Sequence, residues 1–180
     1  MGSFHLIEGG LNHKSTELVF KEVADLHYKQ WCGRLELGVD MGAKVQLCPP
    51  PKNFSKVRDF DVVKRDLSDS LIVKGYLALS DISSPPVYSR HLVLPASPGK
   101  DSKDDDSKSP NLCVFLHGAL KVENMCCLVE VGDDWYGVLY SWSDNKKKSS
   151  LMLSLFEPGL DCVPWLGNLD RLGSLASPPY

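Results

Sequence analysis

No apolar run in the chain approaches the roughly 18–20 residues a membrane-spanning helix needs. The start, Met1-Gly2-Ser3-Phe4, lacks the basic n-region and long apolar stretch of a secretory leader, so secretion is not expected. Cysteine is sparse. Its 6 copies in 180 residues stand at 32, 48, 113, 126, 127 and 162, too few for a disulfide scaffold. No two are spaced as C-x2-C or C-x4-C, and the adjacent pair Cys126-Cys127 suits neither a zinc knuckle nor a redox couple. The 5 histidines (5, 13, 27, 91 and 117) contain no H-x3-H pair. Buried free thiols and no bound metal or cofactor are therefore expected. Excess positive charge is missing too: the net charge of −3 sets the chain apart from bulk nucleic-acid binders of the histone type.

What is present is a globular composition, 43% hydrophobic, long enough for a sizeable core. Phe4 to Ile7 is a short apolar run ending at Glu8-Gly9-Gly10, a turn signal. Residues 13–29 read as a helix. Asn12 or Ser15 can cap it, Glu17 and Glu22 fall early and Lys29 late, and Leu11, Leu18, Val19, Val23 and Leu26 form the apolar stripe. It is the one helix that the periodicity supports. The period then changes to two. Arg34–Val39 and Ala43–Cys48 alternate polar with apolar around Asp40-Met41-Gly42, a β-hairpin halted by Pro49-Pro50-Pro51. Residues 52–69 are charged and unpatterned and read as a surface connection. Strand-like runs follow at Leu71–Leu79, Val87–Leu94, Trp135–Trp142 and Leu151–Phe156. Between them, Leu112–Leu116 and Met125–Val131 read as a hairpin or two bent strands. Strands in succession without intervening helices point to a mainly β antiparallel sandwich or barrel. Residues 97–109, built of Ser, Asp, Lys, Pro and Gly, cannot join a core and read as a disordered excursion.

Several motifs invite a function and fail on context. Asp66-Leu67-Ser68-Asp69-Ser70 matches the D-x-S-x-S metal motif of von Willebrand A domains, whose oxygens suit a hard divalent ion. That motif follows a buried strand, whereas here the good strand comes after it. Val114 to Ala119 resembles the strand and His-Gly oxyanion turn of α/β-hydrolases, but the chain has no G-x-S-x-G elbow. Neither His91 nor His117 has a motif partner. Asn53-Phe54-Ser55 is a glycosylation sequon of use only in a secreted chain. Lys146-Lys147-Lys148 is the one basic run. It is either a solvated turn or a phosphate contact, to which Lys52, Lys56, Arg58, Lys64 and Arg65 could add.

Three ordered blocks carry a resemblance. They are Ser80-Asp-Ile-Ser-Ser-Pro-Pro-Val-Tyr-Ser-Arg-His-Leu-Val-Leu-Pro95, Pro110-Asn-Leu-Cys-Val-Phe-Leu-His-Gly-Ala-Leu-Lys-Val-Glu123, and Lys146 to Gly159 with Pro164-Trp165-Leu166-Gly167. In these the chain resembles the Integrator complex subunit 14 family, closely over about 70–170 and more weakly over 4–50. The resemblance implies an antiparallel Ku-like β-barrel behind an N-terminal strand-helix remnant of an α/β von Willebrand A domain. Residues 1–30 would be that remnant and 31–170 the barrel, with 96–110 a disordered acidic loop. Residues 171–180 would begin a linker to a helical region that lies outside this chain.

The resemblance further implies a nuclear, non-catalytic subunit that forms a heterodimer with Integrator subunit 13. Subunit 10 would join them in a module that binds RNA or DNA, acting in small nuclear RNA 3′ processing and transcription attenuation, with no membrane. No catalytic or metal residue follows from it. The competing reading is direct nucleic-acid binding through Lys146, Lys147 and Lys148. The aromatics Trp135, Tyr136, Tyr140 and Trp142 are either a partner surface or ordinary core.

Overall fold

A computed structural model describes residues 12–27, 30–38, 40–58, 60–96, 112–143 and 149–169. The expected strand at 4–7, the low-complexity stretch 97–109, the lysines at 146–148 and the tail 171–180 lie outside the described residues. The chain divides into two compact units, Met1–Gln30 and Trp31–Tyr180. The first contains α1, His13–His27. Asn12 caps it as the sequence suggests: the Ser15 amide donates to Asn12 Oδ1 at 2.9 Å, and the Asn12 amide donates back to Ser15 Oγ at 3.4 Å. Glu17 falls in the second turn, where it faces His13 at 3.7 Å. Of the apolar stripe, Leu18 is exposed and Val19 and Val23 are half-buried.

The second unit is a closed seven-stranded barrel in the order β1-β2-β6-β9-β8-β7-β5. Its strands are β1 (Trp31–Glu36), β2 (Gly42–Cys48), β5 (Ser70–Ala78), β6 (Ser89–Pro95), β7 (Met125–Gly132), β8 (Trp135–Ser143) and β9 (Ser149–Leu155). Six contacts around the barrel are antiparallel. The seventh, β1 against β5, is parallel, with Leu35 opposite Leu71. The expected antiparallel barrel is therefore found, with this one parallel seam. Closure has to join the first hairpin to a strand running the same way, and over the paired residues it leaves the barrel sheet without an open edge. The expected hairpin is β1–β2, and its turn closes where the Leu37 amide donates to the Met41 carbonyl at 2.7 Å.

Two corrections concern what closes the ends. Residues 52–69 are not a plain connection. Phe54–Arg58 (β3) and Asp61–Arg65 (β4) pair as a separate two-stranded ribbon. Its two valine-bearing strands are too short and too charged to stand out as a period-two pattern. Leu112–Leu116 is not a strand either: Leu112–Glu123 is α3. Cys113, Leu116 and Leu120 are its buried residues, spaced three and four apart on one face, which is helical spacing. A short apolar run is compatible with either period, so only the partner surface decided it.

The barrel is filled at both ends by these additions. β2 runs into the ribbon and the ribbon into β5, so β3–β4 stands at the mouth where β2 ends and β5 begins. Phe54 plugs that mouth, edge-on to Tyr88 at 5.2 Å and Trp135 at 6.3 Å between ring centroids. At the opposite mouth, α3 lowers Cys113, Leu116 and Leu120 into the cluster formed by Leu35, Val45, Leu71, Val129, Leu139 and Leu153. Each such leucine is worth about 1.5–3 kcal/mol of burial. Between the ends, alternation sorts the walls. Cys127, Val129 and Val131 of β7 face inward, while Cys126 and Leu128 face a second, outer cluster. That cluster is roofed by Ile82 of the one-turn helix α2 (Leu79–Ile82) and by Phe156, Val163 and Leu169 of the segment after β9.

Candidate interaction surfaces

Within the described residues no three His, Cys, Asp or Glu side chains come together as metal ligands. The D-x-S-x-S oxygens go to separate local partners. Asp66 accepts from Asn53 Nδ2 at 2.6 Å, Ser68 Oγ accepts from the Ser70 amide at 3.1 Å, and Ser70 Oγ reaches Glu36 at 3.3 Å. Asn53 Oδ1 also receives the Leu67 amide at 3.2 Å, so the sequon asparagine ties the base of the ribbon. Lys56 to Glu157 at 2.8 Å and Arg65 to Asp134 at 3.7 Å fasten the ribbon to the barrel rim.

The two histidines without motif partners are structural. His91 is buried on β6. Its Nδ1 stands 2.6 Å from the Pro49 carbonyl, an acceptor, so Nδ1 carries the proton and donates. Nε2 is then the acceptor for the Ser89 hydroxyl at 2.7 Å. Burial holds its pKa below the usual histidine range, against a smaller opposing effect of the Pro49 bond. His117 is not at the end of a strand. It lies in the middle of α3 and meets Ser141 of β8 through Nε2 at 2.9 Å, stapling the helix to the wall. The thiols divide. Burial pushes Cys127 up to about 12 and Cys126 to about 11, which keeps both protonated at neutral pH. Cys32 and Cys48 are exposed, contrary to the expectation of uniformly buried thiols.

The four aromatics of β8 separate by face. Trp135 is fully buried and its indole N–H donates to the Phe156 carbonyl at 2.8 Å. Tyr136 is buried in the outer cluster. These two are core, as a buried aromatic with a satisfied polar end should be. Tyr140 is half-buried and Trp142 37% exposed, so these two remain for a surface.

Trp142 stands on a wall that no described residue roofs, and Tyr140 at its border, packed against the outer cluster with its hydroxyl 3.3 Å from Ser154 Oγ. The outward residues of β6, β9 and β8 align in cross-strand rows: Leu92 is opposite Met152, which is opposite Tyr140, and Ser150 of the next row is opposite Trp142. Leu94, two residues beyond Leu92 on the same face, is also exposed. Across β2, Leu94 is opposite Gln46 and Leu92 opposite Cys48. The apolar field is rimmed on the same outward face by Arg90 of β6, two residues before Leu92, and by Lys44 of β2, two residues before Gln46. A second apolar surface is the cleft of about 280 Å³ beside α3, lined by Leu37, Met41, Tyr76, Phe115, Leu120 and Met125 among others. Sequence reasoning missed this cleft because it rests on α3. Lys146, Lys147 and Lys148 join β8 to β9, and their placement lies outside the described residues.

Comparison with known proteins agrees with this barrel. The family model described as Integrator complex subunit 14, beta-barrel domain, matches residues 28–159. The chain is 41% identical to Integrator complex subunit 14 of Rattus norvegicus and 40% identical to that of Homo sapiens, each over 97% of this chain and 37% of the relative. It is 36% identical to the Drosophila melanogaster protein of the same name, over 94% of this chain and 38% of that one. The chain thus spans little more than a third of the length of the curated relatives it matches.

Proposed function

The chain belongs to the Integrator complex subunit 14 family, and from that premise we propose that it serves the nuclear Integrator complex as a non-catalytic scaffold. Its barrel is one half of a heterodimer with Integrator subunit 13. The observation that carries this reading is the apolar row of Leu94, Leu92, Met152 and Trp142 on β6, β9 and β8, half-buried or exposed and roofed by no other described residue. An aromatic anchor among aliphatic neighbours, with Arg90 at the rim, is a composition that interfaces favour. Subunit 10 and RNA or DNA join through the pair, and the barrel supplies position rather than chemistry. Within that assembly residues 31–170 act as the barrel domain. Residues 1–30 are the end of a von Willebrand A domain, and 171–180 open a linker.

Co-purification of the full chain with full-length subunit 13 tests this. Wild type should be retained. Trp142→Asp together with Leu94→Asp should abolish retention while thermal unfolding stays close to wild type. A folded wild-type chain that fails to bind subunit 13 would sink the reading. The nucleic-acid alternative rests on the three adjacent lysines between β8 and β9. Lys146→Glu, Lys147→Glu and Lys148→Glu together should lower affinity for single-stranded RNA and flatten its salt dependence.

A further inference from the structure

One seam of the barrel is closed by only a short run of pairing. Arg34, Leu35 and Glu36 of β1 lie opposite Ser70, Leu71 and Ile72 of β5. β5 itself continues to Ala78. Its register against β7 slips between Val73 and Gly75, which leaves Lys74 as a bulge. A bulge bends and twists its strand, and this one stands where β1 and β5 part. β1 ends at Glu36 and turns into the first hairpin. Beyond Ile72, therefore, β5 is paired on its β7 side, and among the described residues no strand takes up the backbone groups of its other side. An unpaired strand edge is a template for another strand, and folded proteins ordinarily cover it.

The α3 cleft opens along this edge. Tyr76 of β5, Leu37 and Met41 of the first hairpin, Met125 of β7 and Phe115 of α3 line it. α3 rests on β7, β8 and β9 rather than on β5, which leaves the space. Tyr76 is 44% and Phe115 63% exposed. At about 280 Å³ the cleft is smaller than the pockets of drug-sized ligands, about 300–1,000 Å³, and suits apolar side chains hung from a strand. Its one charged lining residue is Glu123, near the end of β5 where Ala78 pairs with Met125. Glu123 is exposed, and none of the ion pairs among the described residues includes it. It stands in the last turn of α3, where the helix dipole favours a cation. Lys121 of the same turn lies one turn on from His117, which faces β8, so it points away from the cleft. Asp40, beside Met41, is exposed and adds negative charge on the hairpin side.

We propose that β5 from Val73 to Ala78 is a docking edge for an extended segment of a partner protein. The segment adds a strand to the barrel, sends alternate apolar side chains into the α3 cleft and sets a Lys or Arg against Glu123. Main-chain pairing supplies affinity in this mode, and the pocket beside the edge supplies specificity. A helix would fill the cleft and leave the edge unpaired. The site is separate from the apolar row on β6, β9 and β8, because β1 and β2 intervene on one side and β7 on the other. It therefore does not rest on the pairing with subunit 13. Phe60 at the ribbon tip is exposed as well, yet nothing there fixes what would meet it.

Fluorescence anisotropy of the full 180-residue chain tests this, with a labelled peptide of alternating leucine and threonine between two terminal lysines. The peptide should bind, and hydrogen exchange should slow at the amides of Val73 to Ala78. Of two versions methylated at alternate backbone nitrogens, the one whose methyl groups face β5 should lose binding. Phe115→Ser should raise the dissociation constant roughly tenfold, as loss of an interface anchor does, with thermal unfolding unchanged. Glu123→Lys should reverse the preference, from the lysine-ended peptide to one ended in glutamate. Trp142→Asp together with Leu94→Asp should leave the peptide's affinity as it was, which separates this site from the one for subunit 13. The proposal is overturned if neither peptide binds, or if both methylated versions bind like the parent. Protection that falls outside β5, or a preference that Glu123→Lys does not change, overturns it as well.

Discussion

Two parts of one barrel wall are built from similar strands and meet different fates. On β7 and the first half of β8 both faces are buried: Val129 and Trp135 look inward, while Leu128, Tyr136 and Val138 look outward under Phe156 and Val163. On β6 and β9 the inner residues Val93, Leu151 and Leu153 are just as buried, but the outer Leu92, Leu94 and Met152 are not. The difference lies in the chain that follows β9. It turns back by donating the Phe156 amide to Tyr136 and the Gly159 amide to Asp134, and Trp165 Nε1 pins it to the Asp81 carbonyl at 2.7 Å. It roofs β7 and the near half of β8, and burial reaches Ser154 of β9 but not Met152, Leu92 or Leu94. Outward apolar residues under that roof contribute to folding. The same residue types beyond it contribute little to the fold and remain available to a partner.

This contrast breaks first under truncation. Phe156→Ala, in the roof, should cost about 3–5 kcal/mol, the range for emptying a buried aromatic site, and should lower the urea midpoint accordingly. Trp142→Ala, on the bare wall, should change stability by only about 0.5 kcal/mol, as at a surface position. Comparable losses at both sites would mean that the two walls are not distinct.

Acid sharpens the bare side from within. His91 faces inward on β6 and is held neutral by burial. Its pKa is lower in the fold than in the unfolded chain, so below about pH 6.5 the unfolded state takes up a proton that the fold resists. The stability contributed by neutral His91 is complete above that pH and falls as pH drops through the folded value. Urea midpoints at several pH values should therefore decline on acidification, and less steeply in His91→Asn. Equal slopes would exclude His91 as the source.

The smallest effect is one of labelling. In the native chain an alkylating reagent should modify Cys32 and Cys48, which are exposed, well before Cys113, Cys126 and Cys127. Mass mapping of modified peptides would show it. Early labelling of Cys126 would mean that the roof over β7 opens readily.

The strands most legible in the sequence are those with one wet face, such as β1, β2 and β6, because water on one side imposes a period of two. β7 and β8 are legible as continuous apolar runs, but their two buried faces do not say which side is roofed. The aromatics of β8 show this: Trp135 and Trp142 look alike in the sequence, and one is core while the other is surface. Of the surfaces on the described residues, half of the aromatic set is legible in the sequence, while the α3 cleft and the ribbon tip are not.

By itself, then, the sequence determined the β character, the first hairpin, the cap of α1 and the family, since each is written in local spacing or in ordered blocks of residues. Only the tertiary structure decided that Leu112–Glu123 is a helix, that 54–65 is a ribbon, that β1 meets β5 in parallel, and which wall stays bare. All four depend on what distant residues place opposite a segment. A short apolar run buries equally well as strand or helix until the barrel mouth offers a face that only the three-and-four spacing of Cys113, Leu116 and Leu120 can fill.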